Sequence, residues 1–499
     1  MSDSAPTTTA PSKVGDTADT AHTEGLTPGN KLVINLLLVS AFVVILNETI
    51  MGVALPHLMD DLDITANLAQ WLTTAFLLTM AVVIPITGFL LQRYNTRPIF
   101  IAAMSLFSLG TLIAAMAPGF EVLLVGRIVQ ASGTAIMMPL LMTTAMTLVP
   151  PASRGRTMGN ISIVISVAPA IGPTISGVIL SVLEWRWMFI LVLPIALASL
   201  LLGFLKVKNV STPRKSQVDV VSVILSALGF GGLIFGLSNL ESSAEGGIPG
   251  WVPLVIGALA LVVFILRQFR LQRSDSALLD LRTFTSPTFA FSITMLAISM
   301  AALFGTITLL PIYMQRVLGL SVLDTGLMLL PGGLIMGLMA PFVGRFYDRH
   351  GPRGLLMTGA IIVSAVFWSM SRLDENSPAP FVLVAHICLS IGLALLFTPL
   401  FTASLGSLKP SLYSHGSAIV STVQQLAGAA GVALFITVMT GKITEFSAAG
   451  AGLAEATAHG TQAAFTYGAI ISLFAIPAAF FIRRPAALPE GAERMPAGH

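Results

Sequence analysis

The feature that most constrains this chain is a succession of apolar runs, each long enough to cross a lipid bilayer. About 20 apolar residues in a helix span the roughly 30 Å hydrocarbon layer. Fourteen runs meet that requirement, at 31–55, 69–92, 98–118, 121–149, 157–182, 186–206, 217–240, 250–270, 287–313, 322–346, 353–371, 380–406, 415–441 and 462–482. Of the 499 residues 55% are hydrophobic and 10% charged, against about 25% charged in an ordinary soluble domain. The expected fold is an all-α polytopic membrane protein seated in the lipid bilayer. The net charge of +3 implies no nucleic-acid partner, because the basic residues sit in short loops between spans, where they set topology.

Residues 1–30, rich in Ser, Thr, Ala, Pro and Gly, read as a disordered tail without the apolar core of a signal peptide. Loops after the even-numbered spans are rich in Lys and Arg, whereas those after the odd-numbered spans hold only Arg186, Arg316, Arg372 and Lys442. By the positive-inside rule both termini lie in the cytoplasm of a cell-membrane protein. The alternation runs unbroken along the chain, an independent check on the number of spans. The single cysteine, Cys388, lies in an apolar span and leaves no disulfide framework.

The loop after span 2 runs from Gly88 through Gln92 and Arg93 to Arg97, and the loop after span 10 runs from Gly344 through Asp348 and Arg349 to Arg353. The offset of eight spans equals a six-span repeat plus an inserted pair. It divides the chain into a tail at 1–30, a six-helix bundle at 31–210, an inserted hairpin at 211–275, a second six-helix bundle at 276–484 and a tail at 485–499. Two halves with a site between them are a transporter architecture. Glycine near a helix end permits close packing, and Asp and Arg beside it can bridge to neighbouring helix termini and latch one face. Gly88, Arg93, Arg97, Gly344, Asp348, Arg349 and Arg353 are therefore candidate cytoplasmic-gate residues. The plainer alternative is that the arginines only set orientation.

Glu48 is the only acidic residue well inside a span. A carboxylate in hydrocarbon is costly and usually faces a cavity or a partner, as in proton relays. Counted from Lys31 it lies about 25 Å along its helix, toward the outer face, where a snorkelling carboxylate is the alternative. Arg127 in span 4 lies at similar depth and can modulate Glu48 directly or through Gln130; the alternative is a structural bond to helix ends. In span 5, Ala168, Gly172 and Ser176 form a stripe of small residues, with Pro169 and Pro173 allowing a bend. Gln70, Trp71, Gln315, His386, Gln424 and Gln425 are candidates for orienting a ligand in an apolar cavity, or else bond between helices. Trp185 and Trp187 read as interfacial anchors, Asp324 as a vestibule carboxylate or an N-cap, and 442–461 as a long outer connection. No phosphate-binding loop, H-E-x-x-H or G-x-S-x-G is present, so no catalytic residue, cofactor or metal is expected.

These motifs resemble the major facilitator superfamily, in particular its fourteen-span drug:proton antiporter branch (EmrB/QacA type). Gly344 to Arg353 is similar to the loop signature G-x-L-x-D-R-x-G-R-R, while the first copy has Gln92 and Asn95 where the signature has Asp and Gly. Asn47 to Pro56 resembles D-x-T-I-x-x-V-A-L-P, with Asn47 at the Asp position and the carboxylate moved to Glu48, about 100° around the helix. Arg127 to Ala131 resembles R-x-x-Q-G, and Gly172, Pro173 and Gly177 resemble the antiporter motif G-P-x-x-G-G. The N-E-T and Gln92-Arg93 variants are similar to a subgroup that includes lincomycin-resistance exporters. The resemblance implies a monomeric major facilitator fold with protons coupled through Glu48, Arg127 and Asn47. It also implies export of a small amphipathic or cationic drug-like substrate by alternating access. An endogenous metabolite or envelope lipid precursor as cargo, and a non-transporting receptor, are the alternatives.

Overall fold

The computed structural model describes residues 27–484 apart from 211–212, 214–218 and 240–248. The tail expectations for 1–26 and 485–499, the loop cations Arg214 and Lys215, and the side chain of Pro173 lie outside the described residues. The first bundle consists of α1 (Pro28–Leu62), α2 (Ala66–Arg93), α3 (Thr96–Ala115), α4 (Phe120–Leu148), α5 (Arg154–Val182) and α6 (Trp187–Lys206). An inserted pair follows, α7 (Val220–Ser238) and α8 (Trp251–Leu271). The second bundle holds α9 (Pro287–Arg316), α10 (Val322–His350), α11 (Arg353–Met370), α12 (Ala379–Gly406) and α13 (Tyr413–Ala448), and closes with α14 (Leu453–Leu473) continued by α15 (Ala475–Phe481). Thirteen described helical spans are long and apolar enough to cross a membrane, and α5, bent by about 40° between Pro169 and Thr174, makes a fourteenth. Pro169 supplies no N–H to the helix, which accounts for a break at that place.

The connection at 442–461, whose fold the sequence leaves open, is largely helical: α13 continues to Ala448, and α14 begins at Leu453 after a tight turn in which Gly450 adopts φ 92°. Alanine-rich sequence favours helix even where it is too polar to resemble a span. α1 likewise runs past the expected Leu55 to Leu62.

Neighbour relations within the first bundle recur eight helices further on. α3 packs on α4 and α6 as α11 packs on α12 and α14; α1 packs on α5 as α9 packs on α13; α2 packs on α4 as α10 packs on α12. Two seams join the bundles, α5 with α10 and α2 with α13. The inserted pair breaks the symmetry, because α7 lies against both α2 and α13 and has no counterpart on the other seam. α8 presents Trp251, Leu259 and Leu266 outward, as a lipid-facing helix must. The ends of α2 and α10 and the starts of α5 and α13, with their arginines, gather at one face, called the basic end below.

Candidate functional site

A polar cluster inside the helical bundle is built on α1. Successive residues of a helix point about 100° apart, so Asn47 and Glu48 meet different neighbours. Asn47 is buried and turns into its own bundle, where its Oδ1 accepts from Arg127 Nη1 at 3.3 Å. Arg127 Nη1 also donates to Gln130 Oε1 at 2.7 Å, and Gln130 Nε2 donates to Thr111 Oγ1 at 2.8 Å. The Arg127 guanidinium lies over the Phe76 ring, 4.1 Å from its centroid, a cation–π contact worth up to about 2 kcal/mol when desolvated. Its Nε is buried without a partner. This cation, 1% exposed, is thus solvated by two amide oxygens and a ring face.

Glu48 turns the other way. Its carboxylate engages the Gln425 side chain on α13, in the opposite bundle, and lies within electrostatic reach of Arg127. Gln425 Nε2 in turn reaches the Met80 sulfur at 3.4 Å. Glu48 and Gln425 are half-buried, whereas Asn47, Arg127 and Gln130 are sealed. The side chain therefore faces the other bundle and does not snorkel to a membrane surface. A carboxylate at position 47 would sit against the Arg127 guanidinium within one bundle; the one-residue displacement instead sets it on the boundary between bundles. Every other carboxylate on a described helix belongs to a terminal turn. Next along α1, Thr49 fits a recess in α5: a Cβ on Gly172 would overlap the Thr49 hydroxyl.

At the basic end, α10 docks onto the start of α5. Asp348 Oδ1 accepts from the Gly155 N–H at 2.8 Å and Oδ2 from the Arg156 N–H at 2.9 Å. Both donors belong to the first turn of α5, which has no intrahelical acceptors for them, and a negative charge there also complements the helix dipole. Charged hydrogen bonds of this kind contribute about 1.5–3 kcal/mol each. The carboxylate reaches them only because the backbones touch: a Cβ on Gly344 would overlap the Gly155 carbonyl, and one on Gly155 would overlap the Gly344 carbonyl.

A sequence profile described as the Major Facilitator Superfamily matches residues 37–432. The chain belongs to this superfamily. Among its relatives, the uncharacterised MFS-type transporter YcnB of Bacillus subtilis is 40% identical over 466 residues, covering 93% of this chain and 97% of the relative. The lincomycin resistance protein LmrB of Listeria monocytogenes is 40% identical over 457 residues, covering 91% and 96%. The fold is shared with the human organic anion transporter MFSD10, at a TM-score of 0.65 and 14% identity over 91% of this chain and all of that one. It is shared as well with the proton:xylose symporter XylE, at 0.61 and 15% over 91% and 96%.

Within this superfamily fold the remaining candidates separate. Gln130 is fully buried with both ends of its amide occupied, so it lines no cavity. His386 Nε2 lies 3.3 Å from the Leu329 carbonyl, and its ring fills the space a Cβ on Gly332 would need; it joins α12 to α10. Gln70 and Gln315 are exposed at the ends of α2 and α9, and Gln424 is half-buried beside Gln425. Arg97 does not cross the seam: its Nη2 donates to the Phe204 carbonyl at 2.8 Å and its guanidinium lies 5.1 Å from the Phe204 ring. Arg353 repeats that arrangement over Phe480 at 5.0 Å in the second bundle. Arg93 lies over Tyr94, and Arg349 is exposed. Gly177 is exposed, with open space where a Cβ would be. Trp185 is no interfacial anchor, being 1% exposed and packed under the Arg186 guanidinium at 4.3 Å. Asp324 forms a reciprocal cap with Ser321, which is itself the N-cap.

Sequence reasoning missed Phe76, Thr111 and Gly155. Phe76 and Thr111 are unremarkable residues in apolar spans, and only tertiary packing brings them to Arg127. Gly155 carried a signal, standing between Arg154 and Arg156 at a helix start, but the arginines there read only as topology determinants. Asp280 was missed as well. It is buried in the linker between α8 and α9, accepts from Arg282 Nε at 2.8 Å, and lies beside His415 in the first turn of α13.

Proposed function

We propose that this protein exports amphipathic or cationic drug-like molecules in exchange for protons, by alternating access between bundles at 31–210 and 276–484. The observation that carries the reading is Glu48, the one mid-helix carboxylate, set on the boundary between the bundles against Gln425. A proton taken up there removes the charge that the Gln425 amide and Arg127 accommodate, and so changes a contact between the two moving parts. Arg127, held in its own bundle by Asn47 and Gln130, supplies a fixed positive potential that favours the ionised form. Relatives named for lincomycin resistance support a drug as cargo. The basic end faces the cytoplasm by the positive-inside rule, and the chain works as a monomer in the cell membrane. Both seams are closed at that end, where the cytoplasmic side would have to open for cargo to enter, and α7 lies over one of them.

The test is efflux from proteoliposomes under an imposed pH gradient. Glu48→Gln is expected to lower proton-driven drug flux by about 100-fold and, as a mimic of the protonated carboxyl, to weaken drug binding. Undiminished flux in that variant would contradict the assignment, and no flux in the unaltered protein would contradict the function.

A further inference from the structure

Away from both seams, a cavity of about 570 Å³ opens at the basic end of the first bundle, between the starts of α1 and α3 and the end of α6. Gly29 and Leu32 of α1, Arg97 of α3, and Leu205, Lys206 and Lys208 at the exit of α6 line it. We propose that this cavity holds a phosphate group, carried by an anionic phospholipid of the surrounding bilayer.

Charge is the first support. Three cations converge on one cavity, and among the described residues no carboxylate lies within ion-pair distance of Arg97, Lys206 or Lys208. Basic pockets between membrane helices at the membrane surface suit anionic head groups. Geometry is the second. The Arg97 backbone N–H is held by Asn209 Oδ1 at 3.2 Å, and its Nη2 by the Phe204 carbonyl at 2.8 Å. The first bond fixes the start of α3 against the exit of α6, the second holds one edge of the guanidinium, and its Nε is buried without a protein partner. The remaining guanidinium N–H groups are donors that suit a phosphate oxygen. The first turn of α1 adds the positive end of a helix dipole, and a Cβ on Gly29 would meet nothing within 4 Å, so the cavity is open on that side.

The rim decides for a lipid as the carrier. Leu205 is 63% exposed and Phe204 51%, and with Leu201 and Leu202 they form an outward apolar stripe on α6. Acyl chains can lie along that stripe while the head group enters the cavity. A free phosphate has no use for it.

Native mass spectrometry of the full-length protein tests this, with phosphatidylglycerol or phosphatidylcholine added at equal concentration and inorganic phosphate in a separate arm. The unaltered protein is expected to retain phosphatidylglycerol about tenfold over phosphatidylcholine. That preference should fall to about twofold or less in Lys206→Gln/Lys208→Gln and in Gly29→Glu. The Gly29→Glu variant places a carboxylate in the first turn of α1, where it favours the helix, so its loss of lipid is not a loss of fold. Inorganic phosphate that displaces the lipid, and does so only when both lysines are present, supports the phosphate site and identifies free phosphate as a second source. Equal retention of the two lipids, or a preference unchanged in both variants, overturns the proposal.

Discussion

The two seams between the bundles are related by the same eight-helix offset, yet they are closed by different chemistry. Where α5 meets α10, backbone touches backbone at Gly155 and Gly344, and Asp348 reaches across to two peptide N–H groups. Where α2 meets α13, a Cβ on Gly88 would lie at a looser 3.1 Å from the Ala418 side chain, and Gln92 makes only a 3.5 Å contact with the Ser411 carbonyl. That second seam is instead covered by α7 and by the linker that carries Asp280, with Leu279 packed over Gly88. A duplicated motif has kept its geometry and changed its means of closure: one copy retains the carboxylate, and the other, with an amide in its place, is held by an insertion.

The comparison can be broken at its tightest point. Gly344→Val should lower efflux by about 100-fold in a protein that still inserts and elutes normally, because the added carbons displace the α5 backbone and the basic end cannot close. Gly88→Ala, at the related position, should cost about twofold, since Ala418 needs to give by only a few tenths of an ångström. Next comes the carboxylate. Asp348→Asn removes the charge and one acceptor, weakening closure by about 2–3 kcal/mol and slowing turnover by about tenfold or more; Gln92→Ala should change it by less than about twofold. Transport assays on these two pairs decide whether the seams are unequal, and equal effects at both would remove the distinction.

The smallest expected effect concerns the insertion. Asp219, just before α7, accepts from Arg267 Nε at 2.6 Å and Nη2 at 2.8 Å, and these bonds hold its carboxyl at about 2, below the ordinary 3.8. A folded value below the unfolded one means the pair stabilises the hairpin fully above that ordinary value, and the contribution is lost as pH falls toward 2. Asp219→Asn should loosen the hairpin by at most about 1 kcal/mol at neutral pH, the pair being partly solvent-screened. Hydrogen exchange at the first turn of α7 measures it; exchange unchanged between pH 5 and pH 3 in the unaltered protein would count against the pair.

What the sequence could and could not show follows the same divide. Spans are legible because hydropathy is local, and the loop echo because its residues are consecutive, so Gly344 and Asp348 could be singled out as candidate gate residues. Their partners at Gly155 and Arg156 were not, since a carboxylate capping another helix is a contact between residues far apart in the chain. Asn47 and Glu48 show the limit most clearly. Adjacent in sequence, they face different bundles, and only the tertiary structure assigns one to Arg127 on α4 and the other to Gln425 on α13. The helical course of 442–461 was not legible for a different reason: hydropathy recognises apolar spans, and an alanine-rich helix of lower hydropathy lacks that signal.

Exchange of a proton at Glu48 as drug binds is tested most directly by proton release itself. Drug added to purified protein in weakly buffered solution should release protons, up to about one per drug bound at a pH where the free protein holds the carboxyl protonated, with Glu48→Gln releasing none and Asp348→Asn still releasing them. Undiminished release from Glu48→Gln would show that the exchanged proton resides elsewhere.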